Sequence, residues 1–160
     1  MIRMGIGFDA HRFAPGRILV LGGVHVPHES GLAGHSDADV LVHAICDAIL
    51  GALGEGDIGR HFPDTDPAYR DMSSLKLLSQ VGDLAEKKGY AVNNVDSTVV
   101  LERPKLQGYI HEMAINIAGT LNIPVASVNI KATTNEGMGF VGRNEGLAAF
   151  AVVTIREKED

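Results

Sequence analysis

The sequence predicts an α+β domain: a β-sheet of about four strands, covered by three helices on one face, with a small β-hairpin beside it. Three observations predict it. Apolar residues recur at helical spacing in three stretches, and they alternate or run unbroken in four others. A Gly22-Gly23 pair joins two further short apolar segments. At 160 residues and 45% apolar composition, the chain can bury one ordinary core.

Residues 2–8 read as the first strand. Residues 17–21 and 24–27 flank Gly22-Gly23, which suits a two-residue turn with positive φ, and Pro27 ends the hairpin. A loop rich in Gly and His follows, up to His35. Ser36, Asp37, Ala38 and Asp39 read as a helix start, with Ser36 as the cap and Asp39 as its acidic partner. Val40, Leu41, Ala44, Ile45, Ala48, Ile49, Ala52 and Leu53 then form a helical stripe, ended by Gly54 and Gly56. Residues 59–72, with two Pro and three Asp, read as a long exposed loop. Residues 73–88 form a second helix (Leu75, Leu77, Leu78, Val81, Leu84, Ala85), stopped by Gly89. Residues 92–101 are a strand, and 108–121 a third helix closed by Asn122 and Pro124. Residues 127–133 are a strand alternating at Val128, Ile130 and Ala132. The last strand, 146–155, is apolar at nearly every position. Unbroken apolarity means that both of its faces are covered. Three helices cover one; the other needs a partner, and in a chain this short that partner is another copy of itself.

Net charge of −6 argues against a nucleic-acid partner held by bulk electrostatics. No apolar run approaches the roughly 20 residues of a membrane span. The N-terminus enters a strand directly and lacks a signal-peptide pattern, although a chain already freed of a transit peptide would read the same. The single Cys46 allows no internal disulfide and suits a reducing compartment, so the cytoplasm is the expected location.

Two constellations carry chemistry. Asp9-Ala10-His11 lies where the first strand runs out. Residues two apart on a strand point the same way, so Asp9 and His11 aim a carboxylate and an imidazole at one point. Alone, such a spacing is common on protein surfaces. Asp39, His43 and Asp47 recur on the polar side of the first helix, and His43 is the candidate third ligand. One Asp and two His, with a position left open, is the pattern of a catalytic zinc site. His35 serves equally well as a donor near the metal, a phosphate contact or an exposed loop residue. The second constellation runs from Lys131 through Ala132, Thr133, Thr134, Asn135 and Glu136 to Gly137, followed by Gly139, Phe140, Val141, Gly142 and Arg143. Its hydroxyls, loop N–H groups, Lys and Arg suit a phosphate, and Glu136 suits Mg²⁺ or Mn²⁺. An ordinary polar turn would look the same unless a metal site lies elsewhere.

Taken together, these residues resemble the 2-C-methyl-D-erythritol 2,4-cyclodiphosphate synthase family of non-mevalonate isoprene biosynthesis. The match covers essentially the whole chain. It is strongest from His35 through Ser36, Asp37, Ala38, Asp39 and His43 to Asp47, with further matches at Gly7-Phe8-Asp9-Ala10-His11, Gly56-Asp57-Ile58-Gly59, Phe62-Pro63-Asp64-Thr65-Asp66 and Lys131-Ala132-Thr133-Thr134. The resemblance implies one catalytic domain over 1–160, its mixed sheet packed about a homotrimer axis, with active sites between subunits. It implies a cytidine diphosphate-linked substrate, 4-diphosphocytidyl-2-C-methyl-D-erythritol 2-phosphate, whose 2-phosphate attacks the β-phosphorus and expels CMP. By that match Asp9, His11 and His43 hold zinc, and Glu136 holds a second cation, Mg²⁺ or Mn²⁺. His35 and Thr134 stabilise the transition state. Asp9, Ala10, His11 and His35 also contact substrate; Ser36, Asp57, Ile58 and Gly59 bind the erythritol part, under a mobile flap of Phe62, Pro63, Asp64, Thr65 and Asp66. Leu101, Glu102, Arg103, Pro104, Lys105, Leu106 and Gln107 hold cytidine; Thr133, Thr134, Asn135 and Glu136 the diphosphate, with Phe140 and Arg143 nearby. Some members place a Glu where this chain has Phe150. That Glu pairs with the Arg matching Arg143, near an axial cavity for a downstream isoprenoid diphosphate. Phe150 cannot make this pair, so such a regulatory site is not expected here. A two-metal phosphoesterase and a non-catalytic trimeric nucleotide-binding module are the alternative readings.

Overall fold

The computed structural model describes residues 1–63 and 65–158. In chain order the elements begin with β1 (Ile2–Pro15), β2 (Leu19–Leu21), β3 (Val24–Val26), β4 (Ser30–Leu32), α1 (Val40–Leu53) and the one-turn α2 (Ile58–His61). Then come α3 (Ser74–Lys87), β5 (Tyr90–Val100), α4 (Ile110–Leu121), β6 (Val128–Thr133), the one-turn α5 (Gly139–Gly142) and β7 (Gly146–Glu157). The main sheet has the order β4-β1-β7-β5-β6, antiparallel except for the parallel β5–β6 pair. β2 and β3 form a separate hairpin. The three long helices share one face: α1 lies on β1 and β7, α3 on β5 and α4 on β6. Among the described residues no helix is long and apolar enough to cross a membrane.

The expected fold class holds, with four local corrections. β1 does not stop at Phe8: it pairs with β7 as far as Arg12 and with β4 from Phe13 onward, so backbone partners carry it through polar sequence. The loop read after Pro27 supplies β4, which makes five strands rather than four. Asp39, not Ser36, caps α1, because Ala38 takes a left-handed φ of 58° that breaks the helix before it. The stretch read as a loop over 59–72 holds most of α2 and a 3₁₀ turn at Pro67–Tyr69, each opened by an Asp side chain, Asp57 and Asp66. The Gly22-Gly23 turn behaves as expected, with φ of 56° and 72°.

Small residues decide how α1 meets β1. Gly5 and Gly7 face the helix, and a Cβ on either would sit 2.0 Å from the Ala48 carbonyl oxygen or 1.9 Å from that of Ala44. Backbone therefore lies against backbone along this seam. The other row of β1 points away from the helices: Ile2, Met4, Ile6 and Phe8 are exposed, as are Phe150 and Val152 of β7. Register places Ile6 beside Val152 and Phe8 beside Phe150, whose rings stand 4.9 Å apart. This bare apolar face of the sheet is the uncovered side of the last strand.

Asp39 ties the hairpin to the main body. It is fully buried, and its carboxylate accepts from Val42 N–H (3.1 Å), Gly22 N–H (3.0 Å) and Gly23 N–H (2.8 Å). One side chain thus caps α1 and holds the turn between β2 and β3. Burial, and next the charge of Asp37, push its carboxyl up from 3.8 to about 6 against these three donors. Asp39→Ala should lower stability by about 2–4 kcal/mol in urea unfolding, because it removes a cap and leaves buried donors unmet. The folded state binds the Asp39 proton more tightly than the unfolded chain does. The charged group therefore opposes folding increasingly as pH rises from 3.8 to about 6. Asp39→Asn should remove that component, so the stability of wild type relative to this variant should fall across the window.

Candidate active site

The glycine seam aligns one row of β1 with α1. Along that row Arg3 reaches Leu53 O, Gly5 meets Ala48 and Ala52, and Gly7 meets Ala44. The next residues in the row are Asp9 and His11, and the next polar side chain of α1 is His43. Asp9 Oδ2 stands 2.8 Å from His11 Nε2 and 3.1 Å from His43 Nδ1. The three ligand atoms lie within 4.8 Å of one another. His43 lies in the first turn of α1, which starts at Val40.

The tautomer of His11 follows from its other nitrogen. Nδ1 lies 2.5 Å from Ala33 O, and a carbonyl oxygen only accepts, so Nδ1 carries the proton. Nε2 is then the nitrogen that faces Asp9 and would take a metal ion. Burial pushes the Asp9 carboxyl up, but its hydrogen bonds with His11 and His43 outweigh it and hold it well below the usual carboxylate range. Once the ring nitrogens facing Asp9 give up their protons, an anionic oxygen and two imidazole lone pairs converge on one point, which is a donor set for a cation. Ligand bonds of 2.0–2.2 Å in a tetrahedral site imply ligand–ligand separations of about 3.4 Å, close to the spacings found. The donor set therefore fits a zinc-type ion.

A cavity of about 240 Å³ opens on the triad. His35 and Ser36 line it, as do Ile58, Gly59 and Phe62. Gly34, Tyr69 and Leu77 line it too, and no sequence signal singled them out. Asp47 Oδ1 accepts from Ile58 N–H (2.7 Å), which fixes α2 beside α1, and burial raises the Asp47 carboxyl above its ordinary range. Asp57 caps α2, and Phe62 packs edge-on against Tyr69 at 5.4 Å. Asp66 N–H donates to Pro63 O (3.0 Å), folding Thr65 into a tight turn. Asp64 lies outside the described residues. Ala10 points to the opposite, exposed face of β1 and offers the cavity only its neighbours.

The second constellation forms its own cavity, of about 450 Å³, lined by Leu101, Glu102, Pro104, Lys105, Leu106, Gln107, Thr133 and Thr134 together with Ile110 and Ala132. Arg103 instead faces a neighbouring groove with His28 and Glu29. Glu102 accepts from Asn135 N–H (2.9 Å) and Gly137 N–H (3.3 Å), so it braces the turn in which Glu136 has a φ of 51°. Thr134 donates to Glu136 Oε1 (3.1 Å), and that carboxylate is otherwise open to solvent. Lys131 is engaged by Asp96 at 2.6 Å instead of facing the turn. Arg143 pairs with Glu145 at 2.7 Å, and neither it nor Phe140 lines either cavity.

Within one chain the two constellations are far apart. Register aligns Ala10 with Ala148, Ala148 with Val100 and Val100 with Thr133. Three strand spacings separate Ala10 from Thr133, roughly 14 Å. The two cavities share no residue.

A family model, the YgbB family, matches residues 2–156. The 2-C-methyl-D-erythritol 2,4-cyclodiphosphate synthase of Syntrophus aciditrophicus (strain SB) is 60% identical over 159 residues, which cover 99% of this chain and 100% of that protein. Among solved structures, the bifunctional IspDF of Campylobacter jejuni superposes with a TM-score of 0.96 at 43% identity; the match covers 99% of this chain and 43% of that one. The IspF–CDP complex of Plasmodium falciparum superposes with a TM-score of 0.87 at 34% identity, covering 99% and 97% of the two chains.

His43→Ala should abolish stoichiometric zinc binding, read by metal analysis after dialysis, while leaving the far-UV spectrum unchanged. Zinc retained at wild-type stoichiometry would remove His43 from the ligand set.

Proposed function

The chain belongs to the YgbB family, and from that membership we infer that it converts 4-diphosphocytidyl-2-C-methyl-D-erythritol 2-phosphate to 2-C-methyl-D-erythritol 2,4-cyclodiphosphate, releasing CMP. The single observation that carries the mechanism is the convergence of Asp9, His11 and His43 on one point in a cavity. In class the enzyme is a phosphorus–oxygen lyase of non-mevalonate isoprene biosynthesis. Asp9, His11 and His43 hold zinc, and Glu136 holds Mg²⁺ or Mn²⁺. When bound, these cations offset the charge of the attacking and attacked phosphates.

The remaining work is positioning, which is most of what phosphoryl transfer asks of a protein. The 2-phosphate is already an anionic nucleophile and needs no strong base. Its oxygen bonds to the β-phosphorus as the bond from that phosphorus to the CMP oxygen breaks, and CMP leaves with the electron pair. His35 and Thr134 donate to the charge that develops on the phosphoryl oxygens. Ser36, Asp57, Ile58 and Gly59 seat the erythritol part, and residues 62–66 close over it. The apolar pocket of Leu101, Pro104 and Leu106, with Lys105 and Gln107 at its edge, takes the cytidine.

The active site lies between subunits of a homotrimer. Two observations support that reading. The bare face of Ile6, Phe8, Phe150 and Val152 needs a cover. The roughly 14 Å between the triad's strand and Thr133 is too long for one diphosphate to span within a chain. The same reading puts the chain in the cytoplasm, where the buried thiol of Cys46 stays reduced.

Product analysis tests the reaction. The purified protein with substrate and Mg²⁺ should yield CMP and the cyclic diphosphate. Phosphate release without cyclisation would favour the two-metal esterase, and metal binding without turnover the nucleotide-binding module. Complementation tests the shared site. His43→Ala and Thr134→Ala should each be nearly inactive, and co-expression should restore activity through mixed trimers in which one interface keeps both intact halves. No recovery in verified mixed oligomers would return the whole site to one chain.

A further inference from the structure

The other side of His43 carries an arrangement that the ligand set does not explain. His43 Nε2 stands 2.8 Å from Ser74 Oγ and 3.1 Å from Ser36 Oγ. Ser74 Oγ also makes a short hydrogen bond to Asp37 Oδ1. A carboxylate only accepts, so Ser74 gives its single hydroxyl proton to Asp37. Its oxygen can then only accept from His43, and Nε2 must carry a proton. Ser36 Oγ already accepts from Ala38 N–H at 3.2 Å and is the more distant partner of Nε2. The chain Asp37–Ser74–His43 thereby holds a proton on Nε2, so Nδ1, beside Asp9, is the nitrogen left to take a cation.

We propose that Ser74, oriented by Asp37, is a positioning residue of the metal centre, fixing the His43 tautomer and ring plane through its hydroxyl. The proposal rests on the metal reading above. A capping role does not account for the hydroxyl. The Ser74 N–H donates separately to Asp37 Oδ2 (2.9 Å), and that bond caps α3, where Ser73 makes no side-chain cap. Ser74 is fully buried, so its hydroxyl has no water to satisfy it and its partners are Asp37 and His43. Metal-bound histidines in general gain affinity from such an acceptor on the distal nitrogen, and its loss costs about 10–100-fold. Ser74 also stands at the end of the segment that covers the cavity. Asp37 N–H donates to Met72 O (3.2 Å) and Asp71 N–H to His35 O (2.9 Å), so the covering segment is anchored where the metal ligand is oriented.

The test uses Ser74→Ala, which keeps the backbone bond to Asp37. Zinc affinity is read by chelator competition, and the His43 tautomer by imidazole ¹⁵N shifts of the metal-free full chain. Ser74→Ala should weaken zinc about 10–100-fold and turn the single Nε2–H tautomer into a mixture, with little change in melting temperature. Asp37→Asn must turn an amide NH₂ toward one Ser74 donor, so it should act in the same direction. The double variant should be no worse than Ser74→Ala alone. Wild-type zinc affinity in Ser74→Ala would overturn the proposal. So would weakened zinc with the Nε2–H tautomer unchanged, which would mark general loosening. If the wild type binds no zinc, the metal reading falls, while the ¹⁵N measurement still decides what Ser74 does.

Discussion

The contact on which the rest depends is the backbone seam between β1 and α1. Gly5 and Gly7 leave no side chain between strand and helix, and Ala44, Ala48 and Ala52 keep the helix side equally low. Close seating fixes the helix in height and rotation over the strand. His43, one turn into α1, then lands above Asp9 and His11 at hydrogen-bond distance. A side chain at either glycine would lift the helix off by more than a metal site tolerates.

From that seam the polar network grows outward in layers. Asp9 sits between two imidazoles; Ala33 O holds one of them and Ser74 the other. Asp37 holds Ser74 and also accepts from Asp39 N–H (3.2 Å). Asp39 in turn grips the hairpin turn at Gly22 and Gly23. The strained φ of Ala38 lets this short segment serve the metal triad, α1, α3 and the hairpin at once. Burial, and next the repulsion from Asp37 close by, raise the Asp39 carboxyl.

The sheet divides the molecule's tasks by face. Its helix side is packed. Its other side presents Ile2, Met4, Ile6, Phe8, Phe150 and Val152 to solvent in a single chain. Phe8 and Phe150 pack as a tilted ring pair on this side, and Arg143 pairs with Glu145. The Asp9–His11–His43 triad lies on β1 and α1, and the braced Thr134–Glu136 turn follows β6, three strand spacings away across the sheet.

Periodicity and punctuation made the three long helices and four of the five main strands legible, along with the hairpin turn, because each depends on local backbone preference. The spacing of Asp9 and His11 and the polar side of the first helix were legible too. Tertiary partners decided the rest. β1 runs to Pro15 because β4 and β7 supply its hydrogen bonds, and β4 exists only through that pairing. The cap moved from Ser36 to Asp39 because the hairpin's N–H groups also needed that carboxylate. The link from Asp37 through Ser74 to His43 left no signal, since Asp37 reads only as part of one helix start and Ser74 only as part of another, 37 residues on. By itself the sequence determined the elements, the candidate ligands and the apolar excess of the last strand. Only the tertiary structure decided which nitrogen of each histidine faces Asp9, because the ring's orientation depends on partners distant in the chain.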